Sequence, residues 1–169
     1  MGLMSFIKEA GEKLFGKDDP EKAAAEVATA PDPAAAQARL ASANESAARA
    51  IEKYIDTQGL KVDGLQVAFD GTTCQATVSG CAPDQATKEK VLLCCGNVAG
   101  VTGVNDLLTV AEPADESRWH TVVRGDTLSG IAKAMYGNAN AYMKIFEANK
   151  PMLGHPDKIY PGQVLRIPA

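Results

Sequence analysis

The sequence predicts an α+β protein of two small domains. One is an α-β-β-α-β unit over residues 44–111 and the other a β-α-α-β unit over residues 119–169, with an N-terminal helix docked on the first. Three observations carry this expectation. Apolar residues switch repeatedly between a spacing of threes and fours and strict alternation, the signatures of helix and strand. Turn signals sit at the switches, Asp70-Gly71 being the clearest. Two stretches poor in large apolar side chains, 16–43 with Val27 and Leu40 and 112–118 with none, separate the patterned segments.

The elements follow in chain order. Residues 3–15 place Leu3, Phe6, Ile7, Ala10 and Leu14 on one helical stripe, which Gly11 interrupts by allowing a left-handed backbone. Lys8, Glu9, Glu12 and Lys13 balance in charge, so this helix is expected to dock on a core rather than lie on a membrane. Residues 16–43 run Lys17-Asp18-Asp19-Pro20 and then alanine with Pro31 and Pro33. That composition reads as a linker, with short alanine-rich helix possible beside the prolines. From about Glu45 a helix buries Ala47, Ile51, Tyr54 and Ile55, and Gly59 ends it. Leu65, Val67 and Phe69 alternate, as do Cys74, Ala76 and Val78, on either side of the turn. Pro83-Asp84 opens a second helix carrying Ala86, Val91, Leu92 and Cys95, and Gly96 stops it. A strand near 104–110 completes a three-stranded sheet with both helices on one face. In the last segment Trp119 to Val123 is a strand and Asp126 or Thr127 caps a helix bearing Leu128, Ile131, Ala132 and Met135. A second helix near 140–149 uses Tyr142, Ile145 and Phe146, and Ile159 to Pro168 forms the closing turn and strand.

Composition bounds the function classes. The 169 residues are 46% hydrophobic and 22% charged, near the average for a soluble protein, but only 5% aromatic. Much of the apolar content is alanine, so the cores are small and built from Val, Leu and Ile. A formal net charge of -4 offers no general attraction for nucleic acid and mildly favours cations. No run approaches the ~18 apolar residues of a membrane helix, so no membrane insertion is expected. The N-terminus is apolar first and charged after, the reverse of a secretory signal. Phe6 stands where a myristoylation pattern after Gly2 needs Ser or Thr. A cytoplasmic location is therefore expected. Cys74, Cys81, Cys94 and Cys95 lack zinc-site spacing and read as reduced structural thiols.

Residues 44–111 resemble the BON domain. Val67 with Asp70-Gly71, the strand end Thr77-Val78-Ser79-Gly80, and Gly96-Asn97-Val98-Ala99-Gly100-Val101 before Val104-Asn105-Asp106 carry the likeness. Residues 119–168 are similar to LysM along the whole module, from Gly125-Asp126-Thr127-Leu128 to Ile159-Tyr160-Pro161-Gly162. The LysM resemblance implies binding of N-acetylglucosamine glycans between Gly125, Asp126, Thr127, Leu128 and Ile159, Tyr160, Pro161, Gly162. Without an export signal such glycans are not met, so that ligand ranks second.

The whole chain resembles the bacterial cytoplasmic potassium-binding protein family, which joins one BON and one LysM domain. Its matching runs include Ala10-Gly11-Glu12-Lys13-Leu14, Tyr136-Gly137-Asn138-Ala139-Asn140, and Ile145 through Leu153. The long alanine-rich stretch and the cysteines depart from the pattern. The resemblance implies a K+ site made from the carbonyls of Ile7, Ala10 and Glu12 together with Gly96, Val98 and Val101, and a chain that compacts on binding. Backbone carbonyls suit potassium because they can replace its weakly held water. The ends Ala10-Gly11 and Cys95-Gly96 would supply helix C-terminal carbonyls. Read without the resemblance, each is an ordinary C-cap.

No enzyme emerges. His120 and His155 have no evident nucleophile beside them, and the stretch 96–103 lacks the Lys-Ser/Thr pair of a phosphate loop. Two functions follow: an intracellular cation sensor, or an adaptor that takes a glycan or a protein partner through its BON or LysM domain.

Overall fold

The prolines of the alanine-rich stretch begin helices. In the computed structural model, which describes residues 3–8 and 11–169, helix α1 spans Pro20–Val27 and helix α2 spans Pro33–Thr57. Each proline sits in the first turn, where its missing N–H costs nothing. Each is preceded by an aspartate cap, Asp19 accepting from the Glu21 amide at 3.0 Å and Asp32 from the Ala35 amide at 3.2 Å. Alanine has the highest helix propensity, and α1 packs on α2, where Ala36 and Ala43 are buried. The expected linker over 16–43 is thus mostly helical, and the helix expected from Glu45 starts twelve residues earlier, at Pro33.

Strand β1 covers Leu3–Ser5, β2 Asp63–Asp70, β3 Gln75–Asp84 and β4 Gly103–Glu112, with helix α3, Gln85–Gly96, between β3 and β4. The sheet runs β1-β4-β3-β2. Strands β3 and β4 are parallel and need the α3 crossover; β2 and β3 are an antiparallel hairpin. Ala76, Val78 and Ala82 of β3 are buried while the residues between them are partly exposed, so α2 and α3 cover one face. Ile51, Ile55, Val91, Leu93, Val98 and Val101 fill the core beneath them.

The N-terminal segment corrects the sequence reading. Leu3–Ser5 is a strand, not the start of a helix, and pairs antiparallel with β4 in the register Met4↔Val104. Beyond it Phe6 is buried, its amide donating to the Thr102 carbonyl at 2.9 Å, while Ile7 is exposed. The edge of β4 offers main-chain partners along its length, and Gly11 at φ 117° breaks any helical run. The expected docking on the first domain is made by strand addition.

In the second domain β5 (Arg118–Thr121) pairs antiparallel with β6 (Val164–Ile167), and helices α4 (Leu128–Tyr136) and α5 (Tyr142–Ala148) lie between them in sequence. Thr127 caps α4, its hydroxyl accepting from the Gly130 amide at 3.1 Å. Leu128, Ile131, Ala132, Ile145, Phe146, Leu165 and Ile167 make this core. Among the described residues no helix is long and apolar enough to cross a membrane.

The domains meet through a buried charge. Glu89 of α3 is 2% exposed and receives Arg166 of β6, the Ser117 amide at 2.9 Å and the Gln85 side chain at 3.0 Å. Burial alone would push this carboxyl up, but Arg166, Ser117 and Gln85 together hold it below the usual carboxylate range. Removing one partner of such a pair leaves an uncompensated buried charge, so Arg166→Ala should cost about 3 kcal/mol in urea unfolding. Because the folded carboxyl is depressed, its contribution is present above the unfolded carboxylate value and is lost as pH falls through the lower folded value. Glu89→Gln should accordingly flatten the dependence of stability on pH in the acid range, measured by urea melts at stepped pH.

Candidate cation site

The last turn of α3 and the loop after it receive the N-terminal segment. Helix α3 ends at Gly96, and the Asn97 amide closes the turn on the Leu93 carbonyl at 2.9 Å. The Asn97 carbonyl accepts from the Glu12 amide at 2.8 Å, and the Glu12 carbonyl accepts from the Ala99 amide at 2.8 Å. Glu12 and Val98 form a parallel bridge. Upstream, the Lys8 carbonyl accepts from Gly100 at 2.6 Å. Two chain segments therefore lie side by side at a helix C-terminus, where carbonyl oxygens carry partial negative charge.

Two glycines permit this approach for different reasons. Gly11 has a left-handed φ of 117°, and a Cβ there would overlap the Asn97 carbonyl. Gly96 is not left-handed; a Cβ on it would run into the ring of Phe6. The Phe6 ring fills the space that a larger residue at 96 would occupy. The two expected helix ends thus become one: Cys95-Gly96 ends a helix, whereas Gly11 belongs to an extended segment laid against the loop.

The carbonyls anticipated from the sequence divide into groups. Glu12 and Val98 already accept a main-chain bond, from Ala99 and from Val101 at 3.1 Å. A carbonyl oxygen has two lone pairs, so neither is closed to a cation. Among the described residues, no main-chain N–H donates to the carbonyls of Ile7, Gly96 or Val101. Ala10 lies outside the described residues. Val98 and Val101 are fully buried, while Ile7 and Glu12 are exposed, so the arrangement runs from the core to the surface. Among the described residues no three His, Cys, Asp or Glu side chains come together.

Asn97 is a residue that sequence reasoning left without a role. Its side-chain amide donates to the Val164 carbonyl and accepts from the Val164 amide, both at 2.9 Å. Asn149 does the same to Arg166 two residues along, both at 2.8 Å. Each asparagine imitates a neighbouring strand along β6, and Asn97 reaches it from the other domain. The signal was the pair Gly96-Asn97, whose polar member follows a buried helix end.

The residues expected to form a glycan groove lie on the loop before α4 and on the closing turn. Thr127 and Leu128 line a cavity of about 360 Å3 whose opposite wall is His155, Pro156 and Asp157. Gly125 and Asp126 form the preceding turn, in which Asp126 accepts from His120 at 2.8 Å and from the Val123 amide at 3.0 Å. His120 and that amide hold the Asp126 carboxyl below its ordinary range. Gly162 is tied to the Val122 carbonyl at 2.8 Å, and Tyr160 faces a different cavity, against the first domain. Ile159 and Pro161 flank Tyr160 on that closing turn.

The cysteines are structural in placement. Cys74, Cys94 and Cys95 are buried and Cys81 is half-buried. Burial pushes the Cys94 thiol up to about 12 and holds Cys95 well above the ordinary thiol value, so neither is a ready nucleophile.

Comparison with known proteins gives a consistent picture. The BON domain family matches residues 43–112 and the LysM domain family residues 120–168. The potassium binding protein Kbp of Escherichia coli is 43% identical over 172 aligned residues, covering 99% of each chain. An uncharacterized protein of Deinococcus radiodurans is 42% identical over 83 residues, 43% of this chain and 32% of its own.

The contact of Gly96 with Phe6 is open to a double-mutant test. Gly96→Ala should destabilise by about 1–3 kcal/mol through overpacking. In a Phe6→Ala background the same change should cost clearly less, because the ring it strikes is gone. Urea unfolding of the four proteins measures the coupling.

Proposed function

This chain belongs to the family of the potassium binding protein Kbp, and from that premise we propose that it is an intracellular binding protein for potassium that holds the ion with backbone carbonyls and compacts as it binds. The observation that carries this reading is the docking of residues 6–8 and 11–12 along the loop 97–102 at the end of α3. It lays main-chain oxygens from two parts of the chain beside one another. We assign the ion to the carbonyls of Ile7, Ala10, Glu12, Gly96, Val98 and Val101. Neutral oxygens in such number suit a large, weakly hydrated ion. Calcium and magnesium sites instead rely on carboxylates and ordered water.

Compaction follows from Asn97. An ion that orders the loop also fixes the side chain that grips β6, so cation and domain docking share one element. This is a linkage argument: whichever state binds the ion better is the state the ion favours. Three buried thiols and a half-buried one fit a reducing compartment.

Saturating potassium should raise the unfolding temperature, and at a hundredfold excess over Kd the stabilisation is about 2.7 kcal/mol. Matched sodium and lithium chloride should do much less. Equal shifts in the three salts would mean general screening and would end the potassium reading. Glu12→Gln should weaken binding only modestly, because its side chain contributes field and its carbonyl is retained.

Asn97→Ala separates binding from compaction. It should keep a potassium-dependent thermal shift yet show a smaller change in radius of gyration, read by small-angle scattering. An unaltered scattering response in that variant would remove Asn97 from the coupling.

A further inference from the structure

A second cavity lies between the domains, about 210 Å3 in volume, beside the loop that follows α3. Its walls include Leu93 and Tyr54 from the first domain, Leu153, Lys158 and Tyr160 from the second, and Glu12 from the N-terminal segment. Other polar groups on its wall are already used. Asn97 is bonded to Val164, and the Gln163 side chain accepts from the Tyr160 amide at 3.2 Å. Among the described residues, the Tyr54 and Tyr160 hydroxyls, the Glu12 carboxylate and the Lys158 ammonium make no side-chain hydrogen bond or ion pair. Burial, then the neighbouring Glu12 charge, pushes the Tyr160 phenol up to about 12. Tyr54 is raised further by burial first, with Glu12 and Tyr160 among its neighbours. Both phenols therefore remain hydrogen-bond donors at any physiological pH.

We propose that this interdomain cavity binds one small zwitterion, a solute of amino-acid or betaine size carrying an ammonium and a carboxylate. The charges on its wall decide the class. A simple anion would meet Glu12 and a simple cation would meet Lys158, so a molecule with both signs uses both. Its carboxylate takes Lys158 and the phenol hydroxyls, which are charge-assisted donors. Its cationic end faces Glu12 and the aromatic faces, which attract ammonium groups. Its carbon skeleton lies on Leu93 and Leu153. Junctions between domains with an apolar floor and a few convergent polar groups are where such ligands bind. Because both domains supply walls, the solute binds the docked arrangement and stabilises it. The proposal needs the docked domains, which potassium favours on the reading above, but it needs no ion at the carbonyls.

The test is isothermal titration calorimetry on the full chain, in sodium buffer with and without saturating potassium chloride, with glycine betaine and β-alanine as probes. Tetramethylammonium chloride and sodium acetate serve as the single-charge halves. Saturable binding of either zwitterion, with both halves at least about tenfold weaker, is the expected result. Betaine binding alone would point to the aromatic faces; β-alanine binding alone would point to hydrogen bonds from its ammonium to Glu12. Lys158→Met and Tyr160→Phe should each weaken the bound zwitterion about tenfold while unfolding at the parent temperature. No saturable heat from either zwitterion in either buffer would overturn the proposal. So would halves that bind as well as the whole, or affinity untouched in both folded variants.

Discussion

The side chain of Asn97 bonds to both main-chain groups of Val164, and through that pairing the end of α3 becomes part of two domains. The residue's own backbone faces the other way. Its amide closes α3 on Leu93, and its carbonyl takes the Glu12 amide. Helix, N-terminal segment and second domain thus meet at a single residue. None of these contacts buries much apolar surface, so each is individually modest, of the order of 1 kcal/mol. Their shared dependence on one backbone position is what makes the loop's conformation matter at a distance.

Close packing of backbone on backbone is the condition for the candidate site. A cage of neutral carbonyls requires two strands of main chain to approach without side chains between them. Gly11 and Gly96 meet this need by different means, one through its φ and one through the ring of Phe6. Carboxylates take no necessary part in such a cage, and the field comes from peptide dipoles at the end of α3. In such a cage, selection among cations would rest on the spacing and number of oxygens; Val98 and Val101 beside the loop are fully buried.

The pair of Glu89 and Arg166 has a different role. Buried ion pairs contribute little net stability against hydrophobic replacements, but a misplaced partner is costly. Glu89 is satisfied by groups from its own helix, from the connection at Ser117 and from β6, so its partners are complete in this arrangement of the domains. The charge acts as a register mark for docking, while Asn97 reads Val164, two residues before Arg166 on the same strand. The cavity flanked by Tyr54 and Tyr160 is a consequence of that arrangement and exists only while it holds.

Local patterns were enough to find most of the elements. The stripe through Ile51 and Ile55, the alternation around Val78 and the β-α-α-β order with Leu128, Ile131 and Ile145 all stand in the sequence because periodicity records which face is buried. The resemblance in the LysM and BON segments reached the same folds independently. What the sequence could not decide was the fate of segments whose local preference is weak. Leu3, Phe6 and Ile7 fit a helical stripe equally well, yet the free edge of β4 made the first of them a strand and left Ile7 in solvent. Pro20 and Pro33 read as punctuation until the capping aspartates before them turned both into helix starts. The candidate ligands are hardest of all to read, since every residue has a carbonyl and none announces which way it points. Only the glycines hint at them. The sequence by itself determined the two domains and the places where backbone could come close; the long-range pairing of the N-terminal segment with the loop at Asn97 decided which oxygens meet, because carbonyl direction is set by tertiary contacts and not by residue type.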